Sequence, residues 1–396
     1  MSFFEMLGVA GQERIHTQFL AWILAPQGSP LQDAQRALIV RALIGGGEAN
    51  QACVHLTPRV VMTEVKHIDL LLVLDGHVVF LENKLKARQS AGQLARYNVA
   101  IEEVCAAPGH FGLWEGARIP LRVFLNFSGE TNVDGWRDVD YGQLARALRR
   151  LPTLDAFVLG YQRFLAKLRG FRARYLRNHR THSGVARNAG LNGTARLRAA
   201  SNQQLGELEQ FLLMQRLDTV FCEALFFRVA KRLPGQVFHQ VGDTRGHALL
   251  QSTFFECTIV GAPAGVCFHV GAQLQRGTIK LNISAGDRYA QSSRDWIAPV
   301  EAELDTAIGR HWPPALGRYR TNARTLAYRS WSAPLLAPQV LESSSLGDFA
   351  HSYAQTLEQA RVAWLSALQE LELGGWVAQV TAVVPGLQLL DPANNT

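Results

Sequence analysis

Between Glu13 and Leu24 the apolar residues Ile15, Phe19, Leu20, Trp22 and Ile23 recur at helical spacing, and Pro26 predicts the stop. Leu31–Leu43 predicts a second helix, ended by Gly45-Gly46-Gly47. The texture then changes. Val60–Leu85 is dense in aliphatic and β-branched residues, with Asp75-Gly76 in its middle, the dipeptide that most strongly marks a hairpin. Ser90 is placed to cap a helix running to about Ala106, closed by Pro108-Gly109. Leu121–Phe127 predicts a further strand, and Tyr141–Arg150 and Leu154–Leu168 predict helices. This α-β-β-β-α-β order predicts an α/β (α+β) fold, a mixed central sheet flanked by helices.

Beyond Leu168 the pattern weakens. No acidic residue occurs between Phe157 and Gly206, while Arg163, Lys167, Arg169, Arg172, Arg174, Arg177, Arg180, Arg187, Arg196 and Arg198 accumulate. His182–Gln204 is also rich in Gly, Ser, Asn and Ala. A basic connector is therefore expected over residues 171–204, between an N-terminal domain of residues 1–170 and a second α+β domain of residues 205–396. In the latter, a helix is expected from Leu205 to Leu233 and strands at Val237–Val241, Thr253–Val260, Val266–Val270 and Thr278–Ile283. Helices follow at Ile297–Ile308 and Leu346–Leu373, the second stopped by Gly374-Gly375, and Pro392–Thr396 is expected to be a frayed tail.

Composition narrows the class. A chain of 396 residues, 47% hydrophobic and 18% charged, has material for two or three cores and too little charge for disorder. A net charge of +7 permits an anionic partner without demanding one. The five cysteines, Cys53, Cys105, Cys222, Cys257 and Cys267, form no Cys-x-x-Cys pair, which argues against a zinc knuckle or disulfide scaffold. No leader pattern and no apolar run long enough for a bilayer is present, so a soluble cytoplasmic protein with no membrane partner is expected. Walker, Gly-x-Ser-x-Gly and His-Glu-x-x-His motifs are absent, which removes ATP-driven, serine-hydrolase and zincin chemistry.

The informative arithmetic concerns the hairpin. A two-residue Asp75-Gly76 loop sets Asp69 directly opposite Glu82, and side-chain parity puts Lys84 on the same face. Two opposed carboxylates repel and call for a cation. The neighbouring residues are apolar on both faces, so the hairpin is expected to be central and its polar trio partly buried. Glu64, at the end of the preceding strand, has opposite parity to Asp69 in a continuous strand and joins the group only through a bend or bulge.

Ile68-Asp69 followed, after twelve residues, by Glu82-Asn83-Lys84 resembles the Asp…Glu-x-Lys signature of the PD-(D/E)XK nuclease superfamily, with Ile68 in place of proline. Gln93-Leu94-Ala95-Arg96-Tyr97 resembles the Gln-x-x-x-Tyr element of one large branch, its two polar side chains sharing one helix face. The leading helix, with Glu13-Arg-Ile-His16-Thr, is similar to the opening of bacterial members of that branch whose function is unknown. The resemblance covers residues 10 to 165 or so. It implies a restriction-endonuclease-like fold and a Mg²⁺-dependent (or Mn²⁺-dependent) nuclease acting on DNA. It further implies Asp69, Glu82 and the Asn83 carbonyl as metal ligands, Lys84 as the group that orients water and stabilises phosphate charge, and Gln93 and Tyr97 as substrate-positioning residues. By analogy it brings in prokaryotic defence or DNA processing, with protein partners in a multi-component complex or a homo-oligomer.

Plainer readings stand beside these. A degenerate Asp…Glu-x-Lys spacing also arises in solvated strands with surface ion pairs, and Gln93 and Tyr97 alone would suit an ordinary helix face. Glu13-x-x-His16 resembles half of a di-iron motif but lacks a second copy, leaving a helix-start pair in which Glu13 lines the metal site. Arg172, Arg174 and Arg177 are candidates for nucleic-acid contact against a solvated connector. With only six lysines among 40 basic residues, the arginine excess also fits genomic bias. The alternative function is a non-catalytic nucleic-acid-binding or regulatory protein that retains the fold.

Overall fold

The computed structural model describes residues 2–9, 11–45, 56–85, 93–107, 109, 119–129, 135–152, 155–177, 205–233, 238–244, 247–262, 266–275, 278–285, 296–325, 328–334 and 346–382. Ser90, Pro108, residues 178–204 and the tail from Pro392 lie outside them. The chain divides into two compact units, residues 1–174 with 193–224, and residues 175–192 with 225–396.

The first unit opens with α1 (Phe3–Met6), α2 (Glu13–Leu24) and α3 (Asp33–Ile44), the last closed by Gly45 at φ 72°. Next come β1 (Val60–Val65), β2 (Ile68–Val73), β3 (His77–Lys84), α4 (Gln93–Ala106), β4 (Ile119–Asn126), β5 (Arg137–Asp140), α5 (Tyr141–Arg149), α6 (Ala156–Arg177) and α7 (Glu207–Gln215). The five strands form one sheet in the order β1-β2-β3-β4-β5. The first two pairings are antiparallel and the last two parallel, the mixed sheet expected.

Central position of the hairpin follows from its composition. On one face Leu71, Val73, Val78, Phe80 and Phe124 pack with Leu94, Ile101 and Val104 of α4. On the other, Leu70, Leu72, Val79 and Leu81 are fully buried, and α2 packs against β1, β2 and β3 on the sheet. Each buried Leu or Phe contributes about 1.5–3 kcal/mol, so the hairpin can hold repelling charges at its open end.

Two expectations need correction here. First, α6 is a single helix through Arg177, so residues 171–177 of the expected connector are helical. Arg172 is 9% exposed, ion-paired to Asp140 at 2.5 Å, with its guanidinium 4.9 Å from the Phe127 ring centre; it secures the cap of α5 and is not presented to a phosphate. Second, the helix expected over Leu205–Leu233 is two helices, α7 and α8 (Asp218–Ala230), because Arg216 turns left-handed at φ 55°.

In the second unit, β6 (Phe238–Thr244), β7 (His247–Ile259), β8 (Phe268–Gln275), β9 (Thr278–Ala285), β10 (Arg320–Thr325), β11 (Tyr328–Pro334) and β12 (Val377–Ala382) form an antiparallel sheet with α9 (Glu301–His311) and α10 (Leu346–Leu373). The last three strands carry no clean alternation and were not expected from sequence. Trp364 of α10 donates to the Gly271 carbonyl at 2.9 Å and lies 5.5 Å from the Trp331 ring, fixing the helix on the sheet. Gly271 has to be glycine, because a Cβ there would stand 2.1 Å from the Ser252 carbonyl oxygen. No helix among the described residues is long and apolar enough to cross a membrane.

Candidate active site

The register Leu70↔Leu81, Leu71↔Phe80, Leu72↔Val79 and Val73↔Val78 is the one the Asp75-Gly76 loop dictates. One further step sets Asp69 against Glu82. Gly76 takes φ 75°, a conformation open to glycine at no steric cost. Glu82 is 2% exposed and Lys84, two residues on, stands on the same face with its ammonium 2.7 Å from Glu82 Oε1. The Gln93 amide, from the first turn of α4, donates to that same oxygen at 2.8 Å and to the Tyr97 hydroxyl at 2.8 Å. Helical i, i+4 spacing thus delivers both polar groups of α4 to the acidic end of β3. Tyr97 lies 6.3 Å from Trp136, whose indole N–H is held by Asn98.

Electrostatics follow from burial. Burial raises the Asp69 carboxyl, outweighing the Asn83 N–H and Lys84, and the Glu13 and Glu64 carboxylates add to the rise. Glu82 is raised by burial first and by Asp69 second, against the pull of Lys84. Burial opposes the Lys84 charge, but Glu82, Glu13 and Asp69 together hold its net direction upward. Tyr97 is raised, chiefly by burial. Glu82 Oε2 is buried and has no hydrogen-bond partner among the described residues, while Oε1 takes both Lys84 and Gln93. An anionic oxygen left bare in a carboxylate group of this kind fits a hard divalent cation such as Mg²⁺.

Glu64 is placed differently from the continuous-strand expectation. Lys66 and His67, at φ 51° and 67°, form a tight turn between the paired residues Val65 and Ile68. The chain reverses there, so Glu64 falls opposite Asp69 and acts on it electrostatically. Its own φ is 60°, which interrupts the β1 ladder at this position. Asn83 sends its backbone N–H to Asp69 Oδ2 at 2.7 Å, and its side chain turns to the opposite sheet face. Glu13 sits in the first turn of α2 and its charge reaches Asp69, Glu82 and Lys84. His16 is apart from this group: fully buried, it stacks on Phe4 and lies 3.1 Å from the Tyr161 hydroxyl. Among the described residues no three His, Cys, Asp or Glu side chains already converge as a metal cage. Arg174 ranges 3.9 Å from Glu207 and stacks on Phe171, and Arg177 is exposed at the end of α6. Sequence reasoning passed over Thr17 and Tyr141, which hold Asn83 from behind; only the Asp140…Gln143 capping box marked the start of the helix that Tyr141 opens.

A mixed sheet whose central hairpin brings an aspartate, a glutamate and a lysine to one face has a restriction-endonuclease-like fold. Residues 1–111 match the family model of the PD-(D/E)XK nuclease superfamily, a span that includes every residue of the acidic site and of the Gln93/Tyr97 pair. No curated protein and no solved structure matches the chain.

Proposed function

We propose that this protein is a divalent-metal-dependent nuclease that hydrolyses phosphodiester bonds of DNA, with its catalytic part in residues 1 to 170. The observation that carries this reading is the buried Glu82 Oε2, without a hydrogen-bond partner among the described residues, beside Asp69 and Lys84. Asp69, Glu82 and the Asn83 carbonyl are the oxygen donors that would hold Mg²⁺ or Mn²⁺. When bound, the metal supplies Lewis acidity toward a phosphoryl oxygen and lowers the pKa of water. Lys84 places a protonated amine where a phosphate oxygen and an attacking water can both use it. Gln93 donates to Glu82 Oε1 and to the Tyr97 hydroxyl, so Glu82 Oε2 would remain available to a bound cation and the Tyr97 hydroxyl would position a backbone phosphate.

The test is a digest of linear, circular and single-stranded DNA in Mg²⁺, with Glu82→Gln as control. Wild type should cleave and the variant should lose at least about 10²-fold, the scale expected when a group that stabilises developing charge is removed. Equal cleavage by both would refute the assignment. Retention of Asp69, Glu82 and Lys84 together speaks against a binding protein that merely keeps the fold.

A further inference from the structure

Asn83 stands between the two catalytic residues of β3, yet its side chain is on the other side of the sheet, 0% exposed in an apolar layer with Leu81, Leu85 and Leu125. Its Nδ2 donates to the Glu13 carbonyl at 3.2 Å and to Thr17 Oγ1 at 3.0 Å, both on α2. Its Oδ1 accepts from the Tyr141 hydroxyl at 2.5 Å, at the start of α5. Three of the four hydrogen bonds an amide can make are thus satisfied by two different helices. The backbone N–H of the same residue is bound to Asp69 Oδ2 at 2.7 Å. One residue therefore connects Asp69, the strand of Glu82 and Lys84, and the turn of helix that carries Glu13.

We infer that the Asn83 side chain is a positioning residue: it sets the offset between α2 and β3, and with it the distance of the Glu13 carboxylate from the acidic pair. This rests on the nuclease reading for its consequence in catalysis, and on geometry alone for its consequence in metal binding. An aliphatic residue would fill this layer without desolvating an amide, so burial does not account for the choice. Directional bonds do. Burial of Leu20 and Ile23 is non-directional, whereas hydrogen bonds to the Glu13 carbonyl and Thr17 Oγ1 tie α2 to β3 at one offset. Outer partners of this kind change metal affinity or activity by about 10–100-fold when removed.

The experiment uses the full chain and two variants on different helices, Tyr141→Phe and Thr17→Val, neither at the reacting face. Mn²⁺ and Mg²⁺ affinity is measured by calorimetry, beside kcat and KM on duplex DNA. Each variant should weaken metal binding about 10-fold and lower kcat with KM for DNA unchanged. Thr17→Ser, which keeps the hydroxyl, should restore both. In a Glu13→Gln background the Tyr141→Phe effect on metal affinity should vanish, because the distance it controls no longer matters. A lower melting temperature with wild-type metal affinity, or an effect that adds fully to Glu13→Gln, would overturn the inference. If the wild-type protein binds Mn²⁺ but cuts no DNA, the nuclease reading fails while the calorimetric comparison still decides the role of Asn83. No metal binding by wild type would overturn both.

Discussion

At the scale of single residues, burial of the acidic pair costs metal-free stability at neutral pH. Asp69 and Glu82 are pushed up to about 6 and about 7 from ordinary values of 3.8 and 4.5, by burial first, and then by Glu13 and Glu64 for Asp69 and by Asp69 for Glu82. A carboxyl raised in the folded state binds protons more tightly there than in the unfolded chain. Metal-free stability should therefore fall as pH rises from about 4 to about 7 and level off above that. Mg²⁺ should restore stability most at the upper end of this window, where the carboxylates are bare. Glu82→Gln should flatten the decline, which thermal melting across pH with and without Mg²⁺ reads directly. Lys84 answers a different question. Lys84→Ala should keep or strengthen Mg²⁺ binding, since a competing cation 2.7 Å from Glu82 is gone, yet lose most turnover; calorimetry beside a cleavage assay separates the two.

Among the elements, the β1–β2 turn is where strain is stored. Three non-glycine residues, Glu64, Lys66 and His67, have φ between 51° and 67°. Such conformations cost about 1 kcal/mol or more for each L side chain. His67 is exposed and outside the acidic group, so His67→Gly should raise the denaturant midpoint by the equivalent of about 0.5–1 kcal/mol without changing cleavage. A lower midpoint would mean that the His67 side chain contributes contacts outweighing the strain. This turn also shows why part of the site was hidden in the sequence. Asp75-Gly76 announces its loop by residue type, so the β2–β3 register and the Asp69/Glu82/Lys84 face could be computed in advance. Lys66-His67 carries no turn signature, and the parity rule therefore left Glu64 outside. Gln93 and Tyr97 were legible because helical spacing is local, but their hold on Glu82 depends on how α4 docks, which no local rule supplies. In the second unit, β10, β11 and β12 lack alternation, and their pairing is set by long-range contacts.

Over the whole molecule, the basic excess must be divided by what each arginine touches. Arg172 is consumed by Asp140 and the Phe127 ring, so Arg172→Ala should cost about 1–3 kcal/mol of stability, read by chemical denaturation, and leave the salt dependence of DNA binding alone. Arg177 is exposed at the end of α6. If it tracks a phosphate, Arg177→Gln should reduce the slope of log affinity against log salt by about 0.9. Superimposable slopes for wild type and Arg177→Gln would return that helix end to the role of a solvated surface.

The long strand β7 has a topological consequence. Along one edge it pairs first with β6, whose opening residue Phe238 meets Thr253, and then with β12, whose last residue Ala382 meets Phe255. Both partners run antiparallel to β7, so the end of β12 and the start of β6 lie head to tail, roughly 7 Å apart along the strand. The chain thus enters and leaves this sheet at one point. In a chain reduced to residues 238–382, a short peptide bridge from Ala382 to Phe238, with new ends opened at the exposed Gly317-Arg318 step, would turn β12 and β6 into one continuous strand. Circular permutation there should leave the sheet order intact, since every hydrogen-bonded neighbour in it survives the change of connectivity.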